Sequence, residues 1–165
     1  MTSPETPRRP HEITLRFVTE PADENLYGKV HGGAVMKWID QAGYACATGW
    51  CGQACVTVYV GGIRFYQPIL VGHLVEVRAR LIHTGRTSMH IAVDVLSRDL
   101  RTQAAVATTH CVIVFVALDA EGQPAPVPAW QPQTDADRAL EDYAKRRLAL
   151  SQSLALERPP ALAEE

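Results

Sequence analysis

Asp40 stands in the middle of an apolar stretch, residues 33–48 (GAVMKWIDQAGYACAT). Aspartate is a poor helix former, and an unpaired carboxylate is expensive to bury. It must therefore be paired, partly solvated or shifted in pKa. A carboxylate held this way in a cleft is equipped to act as a general base or a nucleophile. The plainer alternative is an aspartate at the exposed edge of the helix. Shortly before it comes His31-Gly32-Gly33. Glycines let a backbone approach a ligand closely, and the first N–H groups of a helix lack partners inside it. They can donate to a carbonyl oxygen that gains negative charge, which is the requirement for an oxyanion hole. The same pair also suits a tight loop with positive φ. Asn25 both donates and accepts, so it could orient a water or a carbonyl, or simply form a turn. His31 could serve as a base by its pKa, although beside glycines it reads more simply as a loop residue. Gly85-Arg86-Thr87-Ser88 offers amides, hydroxyls and a guanidinium for phosphate or amide groups, or is a plain hairpin turn. Lys145-Arg146-Arg147 is a short basic cluster, either a solvated face or a site for an anionic ligand tail.

These residues need elements to hold them. Residues 13–18 alternate apolar and polar and predict a strand. The loop PADENLYGKVHGG follows. Val35, Trp38, Ile39, Ala42 and Cys46 recur at helical spacing, which predicts a helix over 33–48. It is apolar nearly all round, so it should be buried. Gly43 inside it costs about 1 kcal/mol relative to Ala and points to close packing on a sheet. Gly49 is the expected stop. The period then changes to two. Residues 55–66 read as a strand bent at Gly61-Gly62 and ended by Gln67-Pro68. Residues 73–83 place Val75, Val77, Ala79 and Leu81 inward and Glu76, Arg78 and Arg80 outward. Residues 84–86 turn into a strand over 87–97 with Met89, Ile91, Val93 and Val95 on one face. A further turn at 98–102 leads to a long strand over 104–118. Consecutive strands on short turns predict antiparallel neighbours. One apolar helix over a long antiparallel sheet is an α+β fold. After a Pro-rich connector, residues 134–156 read as a helix. Thr134 or Asp135 is its expected cap, and Leu140, Tyr143, Ala144, Leu148 and Leu154 its apolar stripe.

The chain has 165 residues, 47% apolar and 21% charged, enough for one domain with one core. We divide it into a flexible N-terminal arm (1–11), a main domain (12–130) and a C-terminal helix and tail (131–165). A net charge of −2 argues against nucleic acid or an anionic membrane as a bulk partner. The polar, Pro-rich start lacks the apolar core of a secretory signal, and no run approaches a membrane span of about 18 residues. A cytoplasmic protein is expected. Cys46, Cys51, Cys55 and Cys111 match neither CxxC nor a Cys/His zinc pattern, so no metal site is expected. They read as buried thiols, with a reactive thiol or an accidental disulfide as the alternative.

The run Asn25-Leu26-Tyr27-Gly28-Lys29-Val30-His31-Gly32-Gly33, followed by Asp40, resembles the signature of the single-hotdog acyl-CoA thioesterases. Phe65, Pro68, Gly72, Gly85 with Thr87-Ser88-Met89, Val116, Gly122, Pro124 and Val127-Pro128 follow the same pattern in order. The likeness spans roughly residues 13–130. It implies a hotdog fold, a long antiparallel sheet wrapped around one central helix. It implies a homodimer, often in a trimer of dimers, with the active site at the dimer interface and Asn25 of one protomer facing Asp40 of the other. By this resemblance Asp40 activates water or attacks the thioester of an acyl-CoA directly. Asn25 positions the water or carbonyl, and the Gly33 amide, with Gly32 nearby, holds the oxyanion. Gly85, Arg86, Thr87 and Ser88 would touch coenzyme A, with His31, Arg64, Lys145, Arg146 and Arg147 as further substrate contacts. Some relatives carry an aromatic in place of His31, which argues against a base there. Coenzyme A is then a moiety of the substrate, and no cofactor is implied. The rivals are a dehydratase or hydratase of acyl thioesters on the same fold, a non-catalytic acyl-CoA sensor, and a purely structural dimer. The first needs an Asp/His pair, the second has no room for a DNA-binding domain in a short arm, and the third leaves Asp40 unexplained.

Overall fold

A computed structural model describes residues 10–155; residues 1–9, most of the expected arm, and 156–165 lie outside the described residues. Five strands and two helices follow in the order β1 (Glu12–Val18), α1 (Gly32–Cys51), β2 (Ala54–Phe65), β3 (Leu74–Thr84), β4 (Ser88–Arg98), β5 (Ala105–Leu118) and α2 (Asp135–Ala155). The strands form one antiparallel sheet in the order β1-β3-β4-β5-β2. Here the sequence reading needs correction. It expected β2 beside β3, but β2 pairs with β5 and forms the opposite edge. The cause is the connection. Residues 66–73 are too many for a hairpin and begin with Gln67-Pro68, so the chain crosses over rather than folding straight back. The tight β3–β4 turn closes as expected, with the Gly85 N–H donating to the Ser88 carbonyl at 2.9 Å.

The core lies between the sheet and α1. Val75, Val77, Leu81, Met89, Ile91, Val93, Val95 and Phe115 are fully buried on the sheet's inner face. Each such side chain contributes about 1.5–3 kcal/mol relative to exposure. Val35, Trp38, Ile39, Ala42, Gly43, Cys46 and Ala47 answer them from the helix. A Cβ on Gly43 would lie 2.8 Å from Phe115 Cε2 and 3.0 Å from Ile113 Cγ2. The helix therefore reaches the sheet only because that position has no side chain. The helix does not stop at Gly49; it runs to Cys51 and ends on Gly52 at φ +69°. Tertiary contacts carry the extra turn: the Trp50 indole donates to the Pro128 carbonyl at 2.8 Å, and Cys51 is buried. All four cysteines are buried free thiols, with Cys51 and Cys55 Sγ 3.4 Å apart. Burial, with Cys51 beside it, pushes the Cys55 thiol up to about 12.

On the sheet's outer face, α2 packs Ala144, Leu140 and Tyr143 against Ile82, Ala92 and Val112. Thr134 is its cap. The Asp137 N–H donates to Thr134 Oγ1 at 3.1 Å, and Asp137 Oδ2 accepts from the Thr134 N–H at 2.9 Å. The expected stripe stops short, because Leu154 is 64% exposed. Glu76 is outward-facing as expected yet only 3% exposed, clamped by Arg78 at 2.6 Å and Arg16 at 2.8 Å. The Arg78 hydrogen bond holds its carboxyl below the usual range, outweighing burial. Among the described residues no helix is long and apolar enough to cross a membrane.

Candidate active site

Asp40 lies two turns into α1, on the one helix face that the sheet does not cover. Met36 and Tyr44, one turn either side of it, are 49% and 43% exposed. The expectation of a helix buried all round thus fails along this stripe. The Asp40 carboxylate is paired by a residue that the sequence reading missed. Thr57 Oγ1 on β2 donates to Asp40 Oδ1 at 2.6 Å, a length typical of a hydroxyl on a carboxylate. A bulge directly after Thr57, between it and Tyr59, interrupts the β2–β5 register. A threonine in a strand reads as an ordinary β former. The available signal was its position, on the same alternation as buried Cys55 and facing the helix that carries Asp40.

Asn25 belongs to a rigid turn. Its Oδ1 accepts from the Tyr27 N–H at 2.9 Å and the Lys29 N–H at 3.2 Å, and Gly28 adopts φ +70°. The turn reading is therefore correct for the oxygen, while the Nδ2 donors have no partner among the described residues. The turn is anchored to the helix start, since the His31 N–H donates to the Asp23 carbonyl at 2.8 Å. His31 is the exposed N-cap residue of α1, without a side-chain cap bond. Gly32 and Gly33 are not in a positive-φ loop; they form the first turn of the helix. The first carbonyl-bonded amides are those of Ala34 and Val35, both onto His31. That leaves the Gly32 and Gly33 N–H groups as the orphan donors of the helix start. Asn25, Gly32 and Val35 line one cavity of about 310 Å³, with Phe65, Ile69 and Thr109. Asp40 and Thr57 are not among its lining. Within one chain the Asp40–Thr57 pair therefore lies outside the cavity that Asn25 and Gly32 line.

The remaining candidates do not converge on one point. The Gly85 amide is spent inside its turn, and Ser88 Oγ fills the space above it. The Arg86 and Thr87 carbonyls accept from the Val127 and Ala117 N–H groups, and the Arg86 side chain is exposed. Arg64 is exposed on β2 beside His110. The basic run on α2 is split by helical geometry. Lys145 pairs with Glu141 at 3.2 Å, Arg146 is exposed, and Arg147 leans over the Tyr143 ring with its carbon 5.7 Å from the centroid. Arg147 and Ser88 share a cavity of about 210 Å³ on the outer face, with Tyr59 and His90. Burial, and then His83 nearby, lowers the His90 pKa to about 4.

Comparison with known proteins places this arrangement. The thioesterase superfamily profile matches residues 27–104. The acyl-CoA thioester hydrolase YciA of Salmonella typhimurium is 32% identical over 120 residues, 71% of this chain and 90% of that protein. The chain belongs to the acyl-CoA thioester hydrolases. The solved structures agree on the hotdog fold. A hexameric acyl-CoA thioesterase superposes with a TM-score of 0.86 at 32% identity, covering 90% of this chain and 95% of its own. The acyl-CoA hydrolase of Staphylococcus aureus, solved with butyryl coenzyme A, superposes at 0.82 with 25% identity, covering 88% and 89%. That hydrolase has also been solved with an asparagine, an aspartate and a threonine each replaced by alanine. Those positions stand 15 and 17 residues apart, the separations of Asn25, Asp40 and Thr57 here. In this acyl-CoA hydrolase, then, the residue that sequence reasoning overlooked sits in the same pattern as the two it singled out.

Proposed function

We propose that this acyl-CoA hydrolase works as a dimer whose every site takes Asn25 and the Gly33 amide from one protomer and Asp40 with Thr57 from its partner. The observation that carries the reading is the separation of the two halves within one chain. Gly33 and Asp40 are seven residues apart on α1, about 10 Å along its axis at 1.5 Å per residue. A thioester carbonyl bonded to the Gly33 N–H is therefore out of line with the Asp40 of the same chain. The edge strand supports a second copy. β2 lies at the end of the sheet and exposes Val56, Val58, Val60 and Phe65. An exposed apolar edge strand is a template for pairing with another chain. Relatives described as hexameric support a trimer of such dimers.

In the proposed reaction the Asp40 carboxylate takes a proton from water as the water attacks the thioester carbon, or attacks that carbon itself. The Thr57 hydroxyl, bonded to Asp40 Oδ1, fixes the carboxylate for either route. The carbonyl oxygen gains negative charge and accepts from the Gly33 N–H at the helix start, with the Asn25 amide as a second donor. Collapse of the tetrahedral intermediate breaks the C–S bond, and the departing thiolate takes a proton and leaves as coenzyme A. After attack by water the free acid leaves with it, whereas after direct attack a mixed anhydride remains on Asp40, which a water then hydrolyses to the free acid and the restored carboxylate. The general base and the amide donors suffice for this chemistry, so no cofactor is called for. Arg86, Arg64 and Arg146 are the exposed cations proposed for the anionic coenzyme A, and the cavity shared by Ser88 and Arg147 is proposed for its arm.

Complementation tests the two-chain site. Asn25→Ala and Asp40→Ala are each expected to be inactive as purified proteins. Refolded together in equal amounts, half of the dimers are mixed, and each mixed dimer holds one site with both native halves. Recovery of about a quarter of wild-type activity is expected from this isologous arithmetic. No recovery, with mixed dimers demonstrated by differential tagging, refutes the two-chain site. Failure of the wild type to release coenzyme A from any acyl-CoA refutes the function.

A further inference from the structure

We propose that the acyl pocket of this enzyme selects chains bearing an oxygen substituent, through Thr109. The proposal rests on the hydrolase reading above and names its substrate class. The cavity of about 310 Å³ is lined by exposed Lys29 and half-buried Asn25, by Gly32 and Val35, and by buried Ile69 and Thr109. Val35 and Ile69 are 3% exposed, and Thr109 is 2% exposed. Thr109 lies on β5 on the same alternation as Cys111, Ile113 and Phe115, the inner face covered by α1. Its Oγ1 has no hydrogen-bond partner among the described residues. The neighbouring Thr108 shows what an ordinary buried threonine on this strand does, since its hydroxyl donates to the Val95 carbonyl at 2.9 Å.

A buried hydroxyl without a partner is costly, and valine would fill the same volume without that cost. Thr109 is instead one of the residues lining the cavity that opens beside the proposed oxyanion donors. A plain alkyl chain seated there would leave it unpaired. A hydroxyacyl or ketoacyl chain would pair with it, because a threonine hydroxyl both donates and accepts. Discrimination by a site built for a polar group exceeds what an apolar wall gives for one methylene.

The test uses matched acyl-CoA pairs of equal length, straight-chain against β-hydroxy and ω-hydroxy, with kcat/KM read from thiol release. The wild type should favour at least one hydroxyacyl-CoA over its straight-chain counterpart by about tenfold, the worth of one buried hydrogen bond. Thr109→Val should abolish that ratio, by losing the hydroxyacyl substrate and gaining the straight one. Thr109→Ser should keep it. Thermal unfolding of each variant establishes that it folds. An equal ratio in wild type and Thr109→Val overturns the proposal while leaving the hydrolase reading intact, and is the result expected if water satisfies the hydroxyl. Absence of turnover on every acyl-CoA overturns both.

Discussion

The Asp40–Thr57 contact yields the sharpest expectation. Thr57→Val keeps the shape of the side chain and removes the hydroxyl that donates to Asp40 Oδ1. A hydrogen bond to a charged group contributes about 1.5–3 kcal/mol. Both residues are exposed in the single chain, so water competes and the lower end applies. About 1.5 kcal/mol corresponds to a loss of about tenfold in kcat. Asp40→Ala should cost far more, about 10²–10⁴-fold, the range of a positioned general base. The two effects should not add. Once Asp40 is alanine, the threonine has no carboxylate to hold, so Thr57→Val in that background should change the residual rate by less than about twofold. The assay is steady-state thiol release at saturating acyl-CoA for the four proteins of the cycle. An unchanged rate in Thr57→Val would show that the bond does not orient the base. A full tenfold loss in the Asp40→Ala background would show that Thr57 acts on substrate independently of Asp40. Either result refutes the assignment of Thr57 as the positioning residue of Asp40.

Two further perturbations probe the scaffold. Gly43→Ala places a Cβ 2.8 Å from the buried Phe115 ring, and the overpacking cost of about 1–3 kcal/mol outweighs about 1 kcal/mol of helix propensity; thermal unfolding should show a lower Tm, and a higher one would mean that α1 stands off the sheet. His90 has its pKa lowered to about 4 from 6.5, so the unfolded chain binds the extra proton between those values. Its contribution is complete above about pH 6.5 and falls as the pH drops towards 4, by at most about 3 kcal/mol. Urea unfolding across this window should show a steep loss of stability in the wild type and a flatter one in His90→Gln; equal slopes would contradict the shift.

What the sequence revealed follows from how local each signal is. The inner faces of β3 and β4 were legible because alternation in Val75–Leu81 and Met89–Val95 is a property of the strand itself. The place of β2 was not, because it depends on the path of residues 66–73, which carry no pattern of their own. Asp40 announced itself, since a carboxylate in an apolar helix conflicts with its surroundings. Thr57 offered only its place on the alternation of Cys55, because its role exists only once β2 lies against α1. For Gly33 the sequence left a helix start and a positive-φ loop both open, and the loop falls away only when the helix is seen to start at Gly32. Lys145-Arg146-Arg147 looked like one patch in sequence, yet successive helical residues point about 100° apart, so it divides between Glu141, solvent and the sheet.

The proposed two-chain site also constrains how the two copies meet. In an isologous pair, if Gly33 of one protomer lies opposite the partner's Asp40, then Asp40 of the first lies opposite the partner's Gly33. The two α1 helices must then run antiparallel past each other, with the two-fold axis level with the residues midway between. Those residues are Met36 and Lys37. Met36 is half exposed on the Asp40 face although it is apolar, and Tyr44 continues the same stripe one turn beyond. A methionine near the axis would be covered by its own copy, and a flexible, polarisable side chain suits a contact that has to fit itself. The same arrangement explains why a helix otherwise buried against its own sheet keeps one stripe open. The stripe holds the carboxylate at its centre, and in the proposed pair the surface closing over it would be the one that carries the amide donors.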